Sequence, residues 1–198
     1  MAEAKHTDPV VREAYELSHD YIGYVTGRVT GPAPSPAACA LRFAGDELVE
    51  KFPIFFKRWP RVFRGVTEDT ACDLLIQTID DNMREFWDRQ KRQTGYPLDI
   101  PWSMVLSIYV LAGQMAIHCK ENGMEKVLEP LAERVGHYME ENFCPVIRAK
   151  DGWVGFTKRY REKENVEGKV LQICLAVLIT LLALLLTHCL WKRKMASL

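Results

Sequence analysis

The sequence predicts an all-α fold: a helical bundle around an apolar central hairpin, followed by a single C-terminal transmembrane helix. Three observations predict it. Apolar residues recur at three- and four-residue spacing in segment after segment, and strand-like alternation is nearly absent. The stretch from Trp102 to Cys119 is apolar on nearly every face, as suits the middle of a bundle. From Val170 to Leu190 there are 21 residues without a formal charge. As a helix at ~1.5 Å per residue these span about 31 Å, which matches a hydrocarbon core of ~30 Å.

The first helix is expected from Pro9 to about Arg28, with Val11, Tyr15, Ile22 and Val25 near one face. "TGPAPSPAAC", Thr30 to Cys39, reads as a short Pro/Gly/Ser connector. In the next segment, "ALRFAGDELVEKF", the positions Ala37, Leu41, Ala44 and Leu48 are spaced four, three and four, so they share one helical face, and Phe52 extends it. Gly45 lets another helix approach, and Asp46 sits beside the stripe, where a cation can meet it. In the aromatic piece "FPIFFKRWPRVF", Pro53 and Pro60 must interrupt or start short helices. Thr67 or Thr70 can cap a helix running to about Arg89, with Leu74, Leu75, Ile79, Met83 and Phe86 as its stripe.

After the turn "QTGYPLD", Pro101 can open the central helix, and Glu121 to Gly123 stops it. Met124 to Glu141 returns as an amphipathic helix with Val127, Leu128, Leu131, Val135 and Tyr138 inward. Pro145 and Gly152 punctuate two short helices, the second within "GWVGFTKRY". Residues 1–169 are then the bundle, 170–190 the membrane anchor and 191–198 a short basic tail, in which Trp191 supplies an interface aromatic and Lys192, Arg193 and Lys194 a cationic stop. A span at this place implies that residues 1–169 face the cytosol. The alternative of a buried core helix would need protein on every side of Val170 to Leu190, more than the preceding domain offers.

Composition narrows the function classes. Of 198 residues, Lys plus Arg and Asp plus Glu number 26 each, so no global field favours nucleic acid, and electrostatic partners must meet local patches. The six cysteines are scattered without a CxxC pair, as expected of reduced thiols rather than a disulfide framework or zinc site. "MAEAKHTDPVV" has no apolar h-region, so secretion is not expected. No enzyme is expected either: His118 and Cys119 are adjacent and on a helix point about 100° apart, so they cannot pair as base and nucleophile. His6, His19, His118 and His137 lack metal-ligand spacing, and no cofactor is implied. Lys158, Arg159, Arg161 and Lys163 can greet anionic lipid or belong to a solvated helix end, since Glu162, Glu164 and Glu167 alternate with them.

The order of four local motifs resembles the Bcl-2 family of apoptosis regulators, from roughly Val11 onward. "ELSHDYIGYVTGR", Glu16 to Arg28, is similar to the fourth-homology helix, and "ALRFAGDELVEKF" to the third-homology motif with its Leu, three residues, Gly-Asp. "DIPWSMVLSIYVLAGQM" resembles the first-homology region around Trp102 and Ala112-Gly113, and "DGWVGFTKRY" the second through Gly152-Trp153, Phe156 and Tyr160. The resemblance implies that Ala37, Leu41, Ala44, Gly45, Asp46, Leu48 and Phe52 form a partner-binding helix, inserted either into its own bundle or into another member's groove. It also implies that Trp102, Met104, Gly113, Trp153 and Phe156 build groove or bundle. Other Bcl-2 family proteins, as homo- or heterodimers, and the lipid bilayer are the implied partners; the outer mitochondrial membrane is the implied location, with the endoplasmic reticulum as a second.

The family's first-homology motif reads Asn-Trp-Gly-Arg, whereas Pro101, Trp102, Ser103 and Met104 stand here. The missing arginine leaves an incoming Asp without a charge-assisted bond of ~1.5 to 3 kcal/mol, roughly tenfold to a hundredfold in affinity. A weak receptor groove is therefore expected, while Asp46 leaves this chain able to donate its own helix. The "GDEL" spelling, short first connector and altered groove lean toward the killing side of the family. In that reading Trp102 to Cys119 and Met124 to Glu141 open from the bundle and permeabilise the membrane. The fourth-homology helix resembles the protective side as much. A third possibility is a tail-anchored regulator of mitochondrial or reticular ion flux.

Overall fold

The computed structural model describes residues 7–56, 59–92 and 100–160. The chain divides into two units, Met1–Arg161 and Glu162–Leu198, and all described residues lie in the first. The expected anchor, Val170 to Leu190 with Trp191, Lys192, Arg193 and Lys194, lies outside them.

Among the described residues every regular element is helical. In chain order these are α1 (Pro9–Val25), α2 (Pro36–Lys51), α3 (Pro53–Phe56), α4 (Trp59–Val62), α5 (Ala71–Arg92), α6 (Trp102–Glu121), a 3₁₀ turn (Glu125–Val127), α7 (Leu128–Asn142), α8 (Cys144–Ala149) and α9 (Trp153–Tyr160). Side-chain caps fix the starts of α1 and α2. Asp8 accepts from the Val10 N–H at 2.8 Å ahead of α1, and Ser35 Oγ accepts from the Ala38 N–H at 3.1 Å ahead of α2, each followed by proline at the first helical position. That second cap corrects the expected connector: residues 36–39 are helical, because Ser35-Pro36 is a start signal. α1 also stops at Val25, short of the expected Arg28, where the Thr26 hydroxyl donates back to the Ile22 carbonyl at 2.6 Å. Thr70 Oγ1 accepts from the Thr67 N–H at 3.0 Å and steadies the turn before α5.

α6 is the centre. α1, α2, α5 and α7 all pack on it. Val105, Ile108, Tyr109, Val110, Ala112, Met115, Ala116 and Cys119 leave almost no surface to solvent. Among the described residues it is the one helix long and apolar enough to cross a membrane, and in this state most of it is enclosed by protein. The expected inward face is buried, with Val127 in the 3₁₀ turn and Leu128, Leu131, Val135 and Tyr138 in α7, which starts at Leu128 rather than at the expected Met124, and α1 lies along it. A long helix with no polar face can exist in water only when amphipathic helices take the solvent-facing positions, and that requirement sets the architecture.

Candidate functional site

The site is α2 with its two flanks. Of its expected ridge, Ala37, Leu41 and Ala44 are buried and Leu48 is half-buried. Phe52 stands at the C-cap, beyond the last helical residue, and is 56% exposed. It therefore continues the ridge in sequence but not in the packed surface.

On one flank α2 meets α1 across a tight seam. Gly45 is where they come closest: a Cβ there would lie 2.3 Å from Tyr21 Oη and 2.9 Å from its Cε2. Gly113 of α6 holds the other side of the same ring, with a Cβ falling 2.8 Å from Tyr21 Cε1. Two glycines on different helices thus make one slot for one aromatic ring, and burial between them raises the Tyr21 hydroxyl pKa. Next to the slot, Arg42 donates through Nε to Asp20 Oδ2 at 2.9 Å and through Nη2 to Oδ1 at 2.5 Å. Its Nη1 donates to the Gly31 carbonyl at 2.8 Å, tying down the α1–α2 loop. Arg42 and Asp20 are 9% and 8% exposed, so this is a buried bidentate pair. The guanidinium also lies 4.7 Å from the Tyr24 ring centre. At the solvent edge Tyr24 donates its hydroxyl to Asp46 Oδ2 at 2.5 Å, and that bond, followed by partial burial and the Asp46 charge, raises the tyrosine's pKa.

On the other flank is a cavity of about 240 Å³. Leu48 of α2, Phe56 of α3, Trp59 of α4, Ile79 and Met83 of α5, and Ile108, Val110 and Leu111 of α6 line it, with Asn82 and Ser107 as its polar groups. No charged side chain is among these described lining residues. Met104 is half-buried and lies one helical turn before Ser107 and Ile108, on the same face but outside the lining.

The remaining expected residues belong to the bundle. Trp102, Trp153 and Phe156 form an aromatic cluster in which Phe156 meets both indoles edge-on at 5.8 Å. Trp153 Nε1 donates to the Val10 carbonyl at 2.9 Å, joining α9 to α1. The sequence reading placed Asp46 and Gly45 in α2 but missed Asp20 and Arg42. The available signal was an arginine directly after Leu41 and an acid directly before Tyr21. Of the cavity residues it singled out Leu48 alone as a site residue, and Ile79 and Met83 only as part of the α5 stripe.

Cys119 is buried, whereas the adjacent His118 turns its ring to Phe63 at 5.7 Å. Among the described residues no group of three or more His, Cys, Asp or Glu side chains could hold a metal ion.

A family model described as apoptosis regulator proteins, Bcl-2 family, matches residues 41–153. Bcl-2-related ovarian killer protein homolog A of Danio rerio is 24% identical over 133 residues, a match covering 65% of this chain and 58% of that protein's length. The structure of a zebrafish pro-survival protein, NRZ, in complex with Bad BH3 is similar in fold, with a TM-score of 0.63 at 19% identity; the match covers 77% of this chain and 95% of that one. Chicken BOK is similar with a TM-score of 0.60 at 18% identity, covering 78% of this chain and 98% of that one.

Proposed function

The chain belongs to the Bcl-2 family of apoptosis regulators, and on that premise we propose that it promotes cell death at the outer mitochondrial membrane by lending α2 to the groove of a relative. The observation that carries this reading is the state of α2 at rest. Its apolar residues Ala37, Leu41 and Ala44 are spent inside the bundle, while Asp46 stands at the exposed edge, bonded to the Tyr24 hydroxyl. Moving α2 exposes the buried face of Leu41, ~1.5 to 3 kcal/mol for a leucine, so a receiving cleft must bury it again. Asp46 then exchanges a tyrosine hydroxyl for a partner's cation. In the full reading the stretch from Val170 to Leu190 holds the domain at the membrane, and α6 and α7 open there as a permeabilising pair.

The guardian reading, in which this chain receives a helix, draws support from the apolar cavity beside Leu48. The lack of a charged residue in its described lining weighs against high affinity for a helix carrying an Asp. The relatives pull both ways by their names, one a killer protein homologue and one a pro-survival protein.

Expression in cells lacking the family's killing effectors, as the intact chain and as Asp46→Ala, separates these roles. Cytochrome release in that background marks an effector, and death confined to ordinary cells marks a helix donor. Protection of ordinary cells overturns the killing direction in favour of the guardian. Unchanged survival with altered mitochondrial or reticular ion flux overturns it in favour of a flux regulator. An effect untouched by Asp46→Ala removes α2 as the agent.

A further inference from the structure

Residues 52–66, "FPIFFKRWPRVFRGV", contain four cations and no acid. The described part of this corner has an inner and an outer side. Inside, Phe63 is buried, stacks on Trp59 at 5.6 Å and meets the His118 ring of α6, so α4 is pinned to the bundle. Outside, Ile54 is 73% exposed, and Phe52 and Val62 are also solvent-exposed. Among the described residues five large hydrophobics are exposed, and these three fall within eleven positions of one another. Arg61 and Arg64 are exposed in the same corner. Acids flank it: Glu47, which pairs with Lys51 at 3.0 Å, and Glu50 before it, Glu68 and Asp69 after it, so its positive field is local.

We propose that the α3–α4 corner is a membrane-docking surface for anionic lipid headgroups. Phe52, Ile54 and Val62 enter the boundary between headgroups and acyl chains, and Arg61 and Arg64 pair with headgroup phosphates. Single-sign charge interleaved with aromatic and aliphatic side chains is the composition that lies in a bilayer interface. This inference does not depend on whether the chain kills or protects.

The test uses the full chain with an environment-sensitive fluorescent amino acid replacing Ile54. Vesicles of phosphatidylcholine are compared with vesicles that also contain phosphatidylserine, by flotation and by quenching with shallow nitroxide lipids. Docking predicts that phosphatidylserine increases both the floated fraction and the quenching, and that high salt reverses the increase. Arg61→Glu with Arg64→Glu, both at exposed positions, lowers the phosphatidylserine-dependent partition by about 25-fold at roughly one cation's worth each, with an unchanged circular dichroism spectrum. Equal quenching in both vesicles, or none, overturns the proposal. So does a signal that follows protein concentration instead of phosphatidylserine, which would mean that a second copy covers the corner. Flotation on phosphatidylcholine alone reports the tail, so failure of the anchor reading is distinguishable from failure of the docking surface.

Discussion

Along the α1–α2 seam a charged pair is shut away from solvent, a tyrosine ring is pressed between two glycines, and a hydroxyl holds a carboxylate at the rim. Across the same helix, where Leu48 faces Phe56, Trp59 and α5, there is open volume and no described charge. The seam specifies one partner at one register, because a one-residue slip would bring Arg42 away from Asp20 and a Cβ into the Tyr21 slot. The cavity specifies only that something apolar be near. α2 is therefore held along the α1 seam and against α9 and α6, and is loosely packed only at the cavity, so a partner that took α2 would have to break the seam.

The largest way to break this contrast is to unpair the seam. Asp20→Ala leaves the Arg42 guanidinium buried without its carboxylate and should cost about 3 to 5 kcal/mol in chemical denaturation, a large share of the ~5 to 15 kcal/mol typical of a domain. Replacing both partners, Asp20→Leu with Arg42→Met, should return most of that loss, since an apolar pair of similar volume asks for no compensating charge. Gly31, whose carbonyl Arg42 also binds, is exposed, so water can take over that bond. A double variant as unstable as Asp20→Ala would show that the seam depends on the ion pair itself.

The cavity flank is tested by giving it the charge it lacks. Met104→Arg should strengthen binding of a family helix peptide by roughly tenfold to a hundredfold, ~1.5 to 3 kcal/mol, read by calorimetry with the full chain. Tight binding that is the same with Met104 or Arg would end the asymmetry between donor and receptor.

Steric closure of the slot comes next. Gly45→Ala should destabilise by ~1 to 3 kcal/mol through overpacking, partly offset by about 1 kcal/mol of helix propensity. Tyr21 cannot yield easily, since Gly113 stands on its other side, where a Cβ would lie 2.8 Å from the ring. Trimming the ring in the same chain, Tyr21→Leu, should make the alanine at 45 nearly harmless, and thermal melts of the four combinations measure the coupling.

Much of this fold is legible in the sequence because its signals are local. Pro101 at the start of α6 and the inward faces of α5 and α7 follow from periodicity and local start signals that need no knowledge of neighbours. Even there the connector expected to run to Cys39 ended at Ser35, because alanines after a Ser-Pro start read as linker or helix with equal ease. The resemblance supplied Asp46 and Gly45. It gave no access to Arg42 and Asp20, whose pairing across 22 residues depends on how α1 and α2 rotate about their axes. Nor did it give the cavity lining, which is assembled from five helices whose relative heights no single segment encodes.

The smallest effect distinguishes a latch from a contact. Tyr24→Phe keeps the ring over Arg42 and removes only the hydroxyl that Asp46 accepts. At this exposed edge the stability loss should be about 0.5 to 1.5 kcal/mol. The wild-type bond should show the same loss with pH. The folded-state pKa of Tyr24 is raised above its ordinary value near 10, chiefly by the bond to Asp46, so its contribution is whole below about pH 10 and fades as pH climbs through the raised value. Tyr24→Phe should lack that component, and the difference between the two alkaline stability profiles isolates it from the other buried tyrosines. The two edge variants should then diverge in function. Asp46→Ala loosens the resting seam but also removes the acid a partner would grip, whereas Tyr24→Phe loosens the seam and leaves the acid in place. If α2 is handed to a partner, Tyr24→Phe should raise killing modestly, by a few-fold in dose, while Asp46→Ala lowers it. Equal loss of activity in both would mean that α2 acts where it is, as part of its own bundle.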